Sequence, residues 1–205
     1  MRMHPTSVLA GASVATLVCF TLAAAPDEKK APTPSPADMA KMMEKAKALT
    51  AVTPEHRFLD RFLGTWKTST RIVMFGANAP AETGEVTYRW LIDRRWLVGE
   101  ATGTMMGAPA ESVSILGYDS FKKSYVTCGV KNTDNAMLIA EGDRTQDGET
   151  LITYGTIDEY LTGEHDKMVK YVYRFHSADK FTLEVHDLPI GETNTKVIEV
   201  VHTRS

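Results

Sequence analysis

The chain has 205 residues, with 23 Lys and Arg against 26 Asp and Glu, and its formal net charge at pH 7 is −3. This length suits one folded domain with short extensions. Nucleic acid is not an expected partner, because no block of basic residues occurs that would neutralise a row of phosphates.

The N-terminal residues 1–25 have the layout of a secretory signal peptide. Arg2 and His4 form a short basic start, residues 8–25 carry no charge, and small side chains such as Ala23 follow. The apolar run is short for a membrane span. The sequence therefore predicts cleavage after Ala23 and a secreted or periplasmic protein with no transmembrane span in its mature form.

The two cysteines have different expected fates. Cys19 is removed with the signal peptide, so Cys128 is the single cysteine of the mature chain. An internal disulfide is then impossible. Because Cys128 lies in a strand-like run, we expect it to be a small core residue.

Residues 26–37 are rich in Pro and charged side chains, which predicts a disordered linker. Residues 38–51 follow as an amphipathic helix with Asp38 as N-cap. Its apolar side chains fall on one helical face: Met39, Met42, Met43, Ala46 and Leu49. Such a face packs within the chain or binds a membrane surface or a partner, and the sequence leaves these alternatives open.

A second, shorter helix begins at Thr53-Pro54-Glu55. Thr53 is a good N-cap, and Pro54 suits the first turn. Its apolar stripe is Phe58, Leu59, Phe62 and Leu63, and Gly64 ends it. We expect this helix to plug one end of the domain that follows.

From Thr65 onward the hydrophobic period is two, as in strands with one buried face. Ten candidate strands follow: 65–75, 83–92, 95–105, 110–118, 124–132, 136–143, 150–158, 168–176, 180–187 and 196–203. Their short links force antiparallel neighbours. The predicted fold of residues 53–205 is an all-β antiparallel barrel of about ten strands, because closure removes edge strands. A two-sheet sandwich is the alternative.

Several motifs occur in a fixed order along this domain. Thr53-Pro54-Glu55-His56 is followed by Phe62-Leu63-Gly64-Thr65-Trp66, then by a hairpin over 91–98, then by Leu116-Gly117-Tyr118-Asp119 with Tyr125-Val126. Together they resemble the bacterial DUF1579 family, a domain of unknown function, over residues 53–204. Gly64-Thr65-Trp66 at the start of the first strand is similar to lipocalin-type barrels. The resemblance implies a calycin/lipocalin-like barrel and brings no established reaction.

The same resemblance extends in layout to fatty-acid-binding proteins and to the haem-binding nitrobindins, which hold haem with one histidine inside the barrel. It implies His202 as the residue to test for haem. His202 shares strand parity with Ile198 and Val200, although Val197 and Val201 leave the parity ambiguous. A packed or hydrogen-bonded histidine is the favoured interpretation. In lipocalin-like folds a basic residue of the last strand packs over the tryptophan, which implies that Arg204 covers Trp66.

Strand parity also predicts which side chains line the barrel interior. The candidates for ligand binding are Tyr88, Trp90, Ile115, Tyr154, Tyr171, Tyr173, Phe175 and His202. A tyrosine combines apolar area with a hydroxyl that can orient the polar end of a ligand. The alternative is that these side chains fill the barrel and leave no cavity.

Four functions remain open on the sequence. The first is binding of a small apolar or amphipathic molecule in the barrel, and the second is haem binding through His202. The third is an enzyme of unknown reaction, with Glu100, Arg89 and His202 converging inside. The fourth is a partner-binding module that uses the helix 38–51. No nucleophile elbow, phosphate loop or spaced metal-ligand cluster occurs, so no catalytic or metal residue is predicted.

Overall fold

The computed structural model describes residues 34–76, 78–92, 94–159, 163–188 and 195–205. The predicted signal peptide lies outside the described residues, as does most of the predicted linker. Helix α1 spans Pro36–Leu49 and α2 spans Pro54–Phe58, followed by a 3₁₀ turn at Leu59–Phe62. The strands are β1 Gly64–Ile72, β2 Glu82–Ile92, β3 Trp96–Met105, β4 Ala108–Asp119, β5 Ser124–Lys131, β6 Leu138–Arg144, β7 Thr150–Glu159, β8 Glu164–Ser177, β9 Lys180–Asp187 and β10 Thr195–Arg204.

The ten strands form a closed antiparallel barrel. Each strand pairs with its neighbour in the chain, and β10 pairs back with β1. Trp66 of β1 has two register partners, Val86 on β2 and Arg204 on β10. The predicted fold class is confirmed, and the sandwich alternative is wrong, because β10 closes the sheet upon itself.

The inner face of the barrel follows from the register around Trp66. Its indole is fully buried, so residues in register with it and at every second position beyond face inward. On β10 this places Val200, His202 and Arg204 on the inner face. The same count around the sheet places Tyr88 and Tyr171 inside as well.

Aromatic side chains fill one end of the barrel around Phe62. The ring of Phe62 lies 4.9 Å from that of Phe175, 5.4 Å from Phe181 and 5.6 Å from Tyr88 between centroids. The main chain of α2 is held by the Tyr125 hydroxyl, which donates to the Glu55 carbonyl at 2.9 Å. The predicted plug helix therefore exists as α2 with its 3₁₀ turn, and we call this end of the barrel the plug end.

Arg204 ties the last strand to the start of the first. Its guanidinium lies 4.1 Å from the centre of the Trp66 ring and donates to the Leu63 carbonyl at 2.7 Å. Gly64 has φ of +105°, and a Cβ there would lie 2.8 Å from the Arg204 Nη1 atom. Glycine is required at this position for its backbone conformation and for the space that the guanidinium occupies. The predicted cover of Trp66 by Arg204 is confirmed.

Helix α1 begins earlier than the sequence analysis placed it. Ser35 is the N-cap instead of Asp38, because the Ser35 Oγ accepts from the Asp38 N–H at 3.2 Å while the Asp38 carboxylate accepts from the Ser35 N–H at 3.3 Å. No residue of α1 is buried. In the described part of the chain, the apolar stretch of each helix is too short to cross a bilayer.

Because Phe62 lies at the centre of the aromatic cluster, its truncation should strongly lower the stability of the fold. Phe62→Ala removes a fully buried ring from a packed aromatic cluster, so we expect the free energy of unfolding to fall by about 3–5 kcal/mol. Phe121→Ala is the matched control, because this ring is 83 % exposed in the turn between β4 and β5 and its loss should change stability by less than about 0.5 kcal/mol. Urea denaturation measures both, and equal effects of the two variants would contradict the plug.

Candidate functional site

The barrel interior divides into two halves of different chemistry. The plug end is formed by the beginning of β1 and the end of β10, and aromatic side chains fill it. The opposite end contains the end of β1, the beginning of β2 and the turn between β3 and β4, and we call it the open end. On β1 to β5 its inner face carries small and hydroxyl-bearing side chains, whereas β6 to β9 place aliphatic side chains there, namely Leu138, Ile157, Val169 and Val185.

A cavity of about 130 Å³ lies at the open end, between β1 and β5. It is partly open to solvent. Its walls are made chiefly of threonine, serine, glycine and alanine. The residues that line it are Thr68, Thr70, Thr83, Gly84, Ala101, Thr102, Gly103, Thr104, Met105, Ala110, Glu111, Ser112, Lys131 and Thr133.

Two glycines give this cavity its shape. Gly84 and Gly103 are register partners on the inner face of β2 and β3, and a Cβ on Gly103 would lie 2.9 Å from the Cα of Gly84. Deeper in the barrel, the ring of Tyr88 lies over Gly99, where a Cβ would collide with it. Tyr88 therefore occupies the place of a side chain on β3, and the cavity lies above this tyrosine.

Three tyrosines form the deeper part of the interior below the cavity. Burial raises the pKa of Tyr88 and of Tyr171, and it raises the pKa of Tyr173 to about 12. The Thr127 hydroxyl hydrogen-bonds to Tyr173 and lowers its pKa slightly against this trend. All three phenols are neutral at pH 7 and can therefore both donate and accept hydrogen bonds.

His202 is buried on the inner face and neutral. Its ring is stacked on that of Phe181 with centroids 3.9 Å apart and planes 10° from parallel. Burial lowers its pKa to about 4, and the nearby Val200 carbonyl raises it slightly in opposition. The Nδ1 atom of His202 is buried without a hydrogen-bond partner. An unpaired buried nitrogen is uncommon in native structures.

A second buried polar atom without a partner lies on the other side of the barrel. Thr153 of β7 pairs in register with Tyr171, which places its side chain on the inner face. Its Oγ1 atom is buried and makes no hydrogen bond. Leaving such a hydroxyl unpaired costs about 1–3 kcal/mol, which suggests that the interior offers unused hydrogen-bonding capacity.

The surroundings of His202 do not fit a haem. One face of the imidazole is covered by Phe181, and the space beneath is filled by the aromatic plug. The cavity of about 130 Å³ is far below the range of about 300–1,000 Å³ that holds larger ligands. His202 in this structure is a packed histidine, which agrees with the favoured interpretation of the sequence.

The structure brings six of the eight predicted lining residues together on the inner face. These are Tyr88, Trp90, Tyr171, Tyr173, Phe175 and His202. Most of them belong to the packed aromatic half and not to the cavity wall. At the plug end, these side chains fill the barrel and leave no cavity, as the alternative interpretation expects.

The prediction is wrong for Ile115 and Tyr154, which lie on the outer face. Ile115 pairs in register with Val98 and Cys128, one position out of phase with the buried Leu116. Tyr154 is 48 % exposed. Both strands carry apolar side chains outward, so alternation alone gave the wrong phase. Cys128 lies on the same outer face and is half-buried, which corrects its expected place in the core.

The residues suggested for an enzyme do not converge. Arg89 and Glu100 form an ion pair of 3.3 Å on the outer face, where both side chains are exposed. His202 lies inside the barrel, on the other side of the wall. Over the described ranges, no three His, Cys, Asp or Glu side chains come together as a possible metal site.

The polar lining of the cavity is absent from the residues that the sequence predicts for the interior. Thr68, Ser112 and Lys131 are its clearest members on the inner face. A signal was present in β4, where Ser112 and Ser114 alternate with Val113 and Ile115. The alternation alone does not tell which set faces inward, and the barrel places the serines inside.

The fold and the site define a class of protein: a small closed β-barrel, plugged by a helix at one end, with a polar cavity near the other. A family model described as a protein of unknown function, DUF1579, matches residues 51–204. The chain belongs to the DUF1579 family.

One solved structure supports the barrel fold at low sequence identity, while no curated protein matches the chain. Rv2717c from M. tuberculosis is 11 % identical, with a TM-score of 0.53 over 76 % of this chain and 99 % of that one. A redesigned β-barrel is 12 % identical over 73 % of this chain and 96 % of that one, with a TM-score of 0.37. The first of these similarities supports the fold alone.

The buried His202 predicts a dependence of stability on pH. The pKa of its imidazole is about 4 in the folded chain and 6.5 ordinarily. Between these pH values the unfolded chain binds a proton that the folded chain does not, so stability falls as the pH falls from 6.5 towards 4. Below pH 4 the loss of unfolding free energy is complete and amounts to about 3 kcal/mol. Above pH 6.5 the imidazole is neutral in both states, and no loss occurs.

Urea denaturation at a series of pH values checks this dependence. His202→Gln should remove the His202 component of the slope, while His165→Gln, at an exposed position near the beginning of β8, should keep it. The same slope in wild type and His202→Gln would show that the imidazole is not kept neutral by burial.

Proposed function

We propose that the barrel binds a small amphipathic molecule whose polar end enters the open half. The observation that carries this proposal is the cavity itself, a polar, partly open space in a barrel whose other half is tightly filled. Ligand sites in proteins are concave and carry a few well-placed polar groups.

The volume of the cavity limits the size of what it encloses. An apolar cavity of about 150 Å³ holds a benzene molecule. The cavity of about 130 Å³ is slightly smaller, so it suits a small molecule or one end of a longer one. The volume therefore restricts the candidate ligands to molecules with a compact polar end.

The lining determines which end of the molecule is enclosed. The hydroxyls of Thr68, Thr70 and Ser112 can each donate and accept a hydrogen bond. Lys131 lies at the cavity, where its ammonium pairs with Asp134 at 2.8 Å. A neutral hydroxyl or amide end of a ligand would be matched by these groups without burying a charge.

Filling the cavity should abolish binding. Ser112→Leu adds a branched side chain to the cavity wall, so we expect loss of saturable binding of 1-hexanol, a small amphipathic alcohol. Val113→Leu is the matched control, because Val113 is the next residue of β4 and faces outward. Isothermal titration calorimetry on the folded chains measures both.

Two results would contradict the proposal. Wild type would show no saturable binding, or Ser112→Leu would bind 1-hexanol as wild type does. Native mass spectrometry of the gently purified chain gives the natural occupant directly, as extra mass that is released on denaturation.

We also infer that the protein acts outside the cytoplasm, on the basis of the signal-peptide layout of residues 1–25. Fractionation of the producing cells with N-terminal sequencing tests this inference. A mature N-terminus at Ala24 in the exported fraction would support it, and an intact Met1 in the cytoplasmic fraction would contradict it.

A further inference from the structure

Exposed methionines surround the open end of the barrel. Met74 follows β1, Met106 lies in the turn between β3 and β4, Met137 precedes β6, and Met168 lies near the beginning of β8. Each of the four is more than half exposed. Because the strands follow one another around the barrel, these positions are spread around its circumference. We call the four residues the methionine collar.

Further apolar side chains extend the collar down the outer wall. Val113, Val130 and Ile139 are exposed on the outer face of β4, β5 and β6, within a few residues of the open end. Exposed apolar surface that continues over several strands marks an interaction site more often than scattered single residues do.

The fold holds the Met106 part of the collar in place. In the turn between β3 and β4, the Glu82 carboxylate accepts hydrogen bonds from the N–H groups of Met106 and Gly107, at 2.8 and 2.7 Å. Met106 has φ of +53°, an uncommon backbone conformation for a residue with a side chain. These two hydrogen bonds fix a turn whose tip carries an exposed methionine.

We propose that the methionine collar docks the open end of the barrel onto the surface of a lipid bilayer. This inference rests on the proposed function, since it names the place from which an amphipathic ligand reaches the cavity. Among the described residues, apolar side chains at four places around the opening fit a planar, fluid surface, whereas a protein partner would have to contact all four places. Methionine is unbranched and adapts to irregular apolar surroundings.

The charges at the open end favour a neutral lipid surface. Lys131 pairs with Asp134 at 2.8 Å, and Lys167 pairs with Asp187 at 2.9 Å. Arg71 pairs with Glu199 at 3.3 Å. Because these cations already have carboxylate partners, attraction to anionic lipids is not the expected source of binding. Apolar insertion of the collar should therefore bind phosphatidylcholine vesicles, with little dependence on salt.

Vesicle flotation of the full chain tests the proposal. Wild type should float with phosphatidylcholine vesicles at both low and high NaCl. The double variant Met106→Asn with Met137→Gln removes two collar side chains, and Asn tolerates the positive φ at position 106. We expect its partition into vesicles to be at least about tenfold weaker, because two methionine side chains that enter the lipid in wild type are replaced by polar ones.

Two control variants separate the collar from the other exposed apolar residues. Phe121→Gln changes a more exposed side chain at the plug end and should leave flotation unchanged. Met42→Gln with Met43→Gln changes the apolar face of α1 and should also leave it unchanged. The proposal is overturned if wild type fails to float, if binding requires anionic lipid, or if either control lowers binding as much as the collar variant.

The outcome can be separated from that of the proposed function. Binding of 1-hexanol is measured without vesicles and should be the same in wild type and the collar variant. If 1-hexanol binds and no chain floats, the collar proposal fails and the ligand-binding proposal stands. If wild type floats, the collar variant loses flotation and wild type does not bind 1-hexanol, the collar proposal stands and the ligand-binding proposal fails.

Discussion

Closure of the barrel depends on the contact between the beginning of β1 and the end of β10. Trp66 lies between Val86 and Arg204 in the register of the sheet, and its indole N–H donates to the Phe62 carbonyl at 2.7 Å. One side chain thereby joins the first strand, the last strand and the plug. Arg204 covers the ring and reaches the Leu63 carbonyl, which only a glycine at position 64 permits. Residues more than a hundred positions apart in the chain are fixed together here, and the plug end can then fill with aromatic rings.

Filling one end with aromatic rings has a consequence for the other end. Ten strands enclose more space than one short helix and its neighbours can occupy. Near the plug, Phe62, Phe175 and Phe181 take up this volume. Beyond Tyr88 the inner face of β1 to β5 changes to glycine, serine and threonine, and the cavity lies there. The cavity is therefore bounded below by the aromatic cluster that stabilises the fold, and a change in its floor would also change stability.

Much of the fold could be predicted from the sequence, and less of the site. The strands, the plug helix and the pairing of Arg204 with Trp66 follow from local signals, namely period-two alternation, an N-cap and a motif. The phase of β4 and β7 could not be predicted, because apolar residues occupy the outer face there. For that reason strand parity predicts Ile115 and Tyr154 inside, although both face outward. Whether a side chain fills the interior or lines a cavity depends on the volumes of its neighbours across the barrel, and Tyr88 over Gly99 shows this: the ring uses the space that β3 leaves empty.

The outward apolar and inward polar side chains of β4 have a common explanation if the open end contacts a lipid surface. In water alone, the outward placement of Val113 and the inward placement of Ser112 gain little, since each residue lies in the less favourable environment. A molecule with a polar end and an apolar end reverses this balance, because the polar end meets the hydroxyls inside while the apolar end stays beside the collar. Under the proposed function, the inward serines of β4 would orient the polar end of the ligand, and the outward Val113 would lie beside its apolar end.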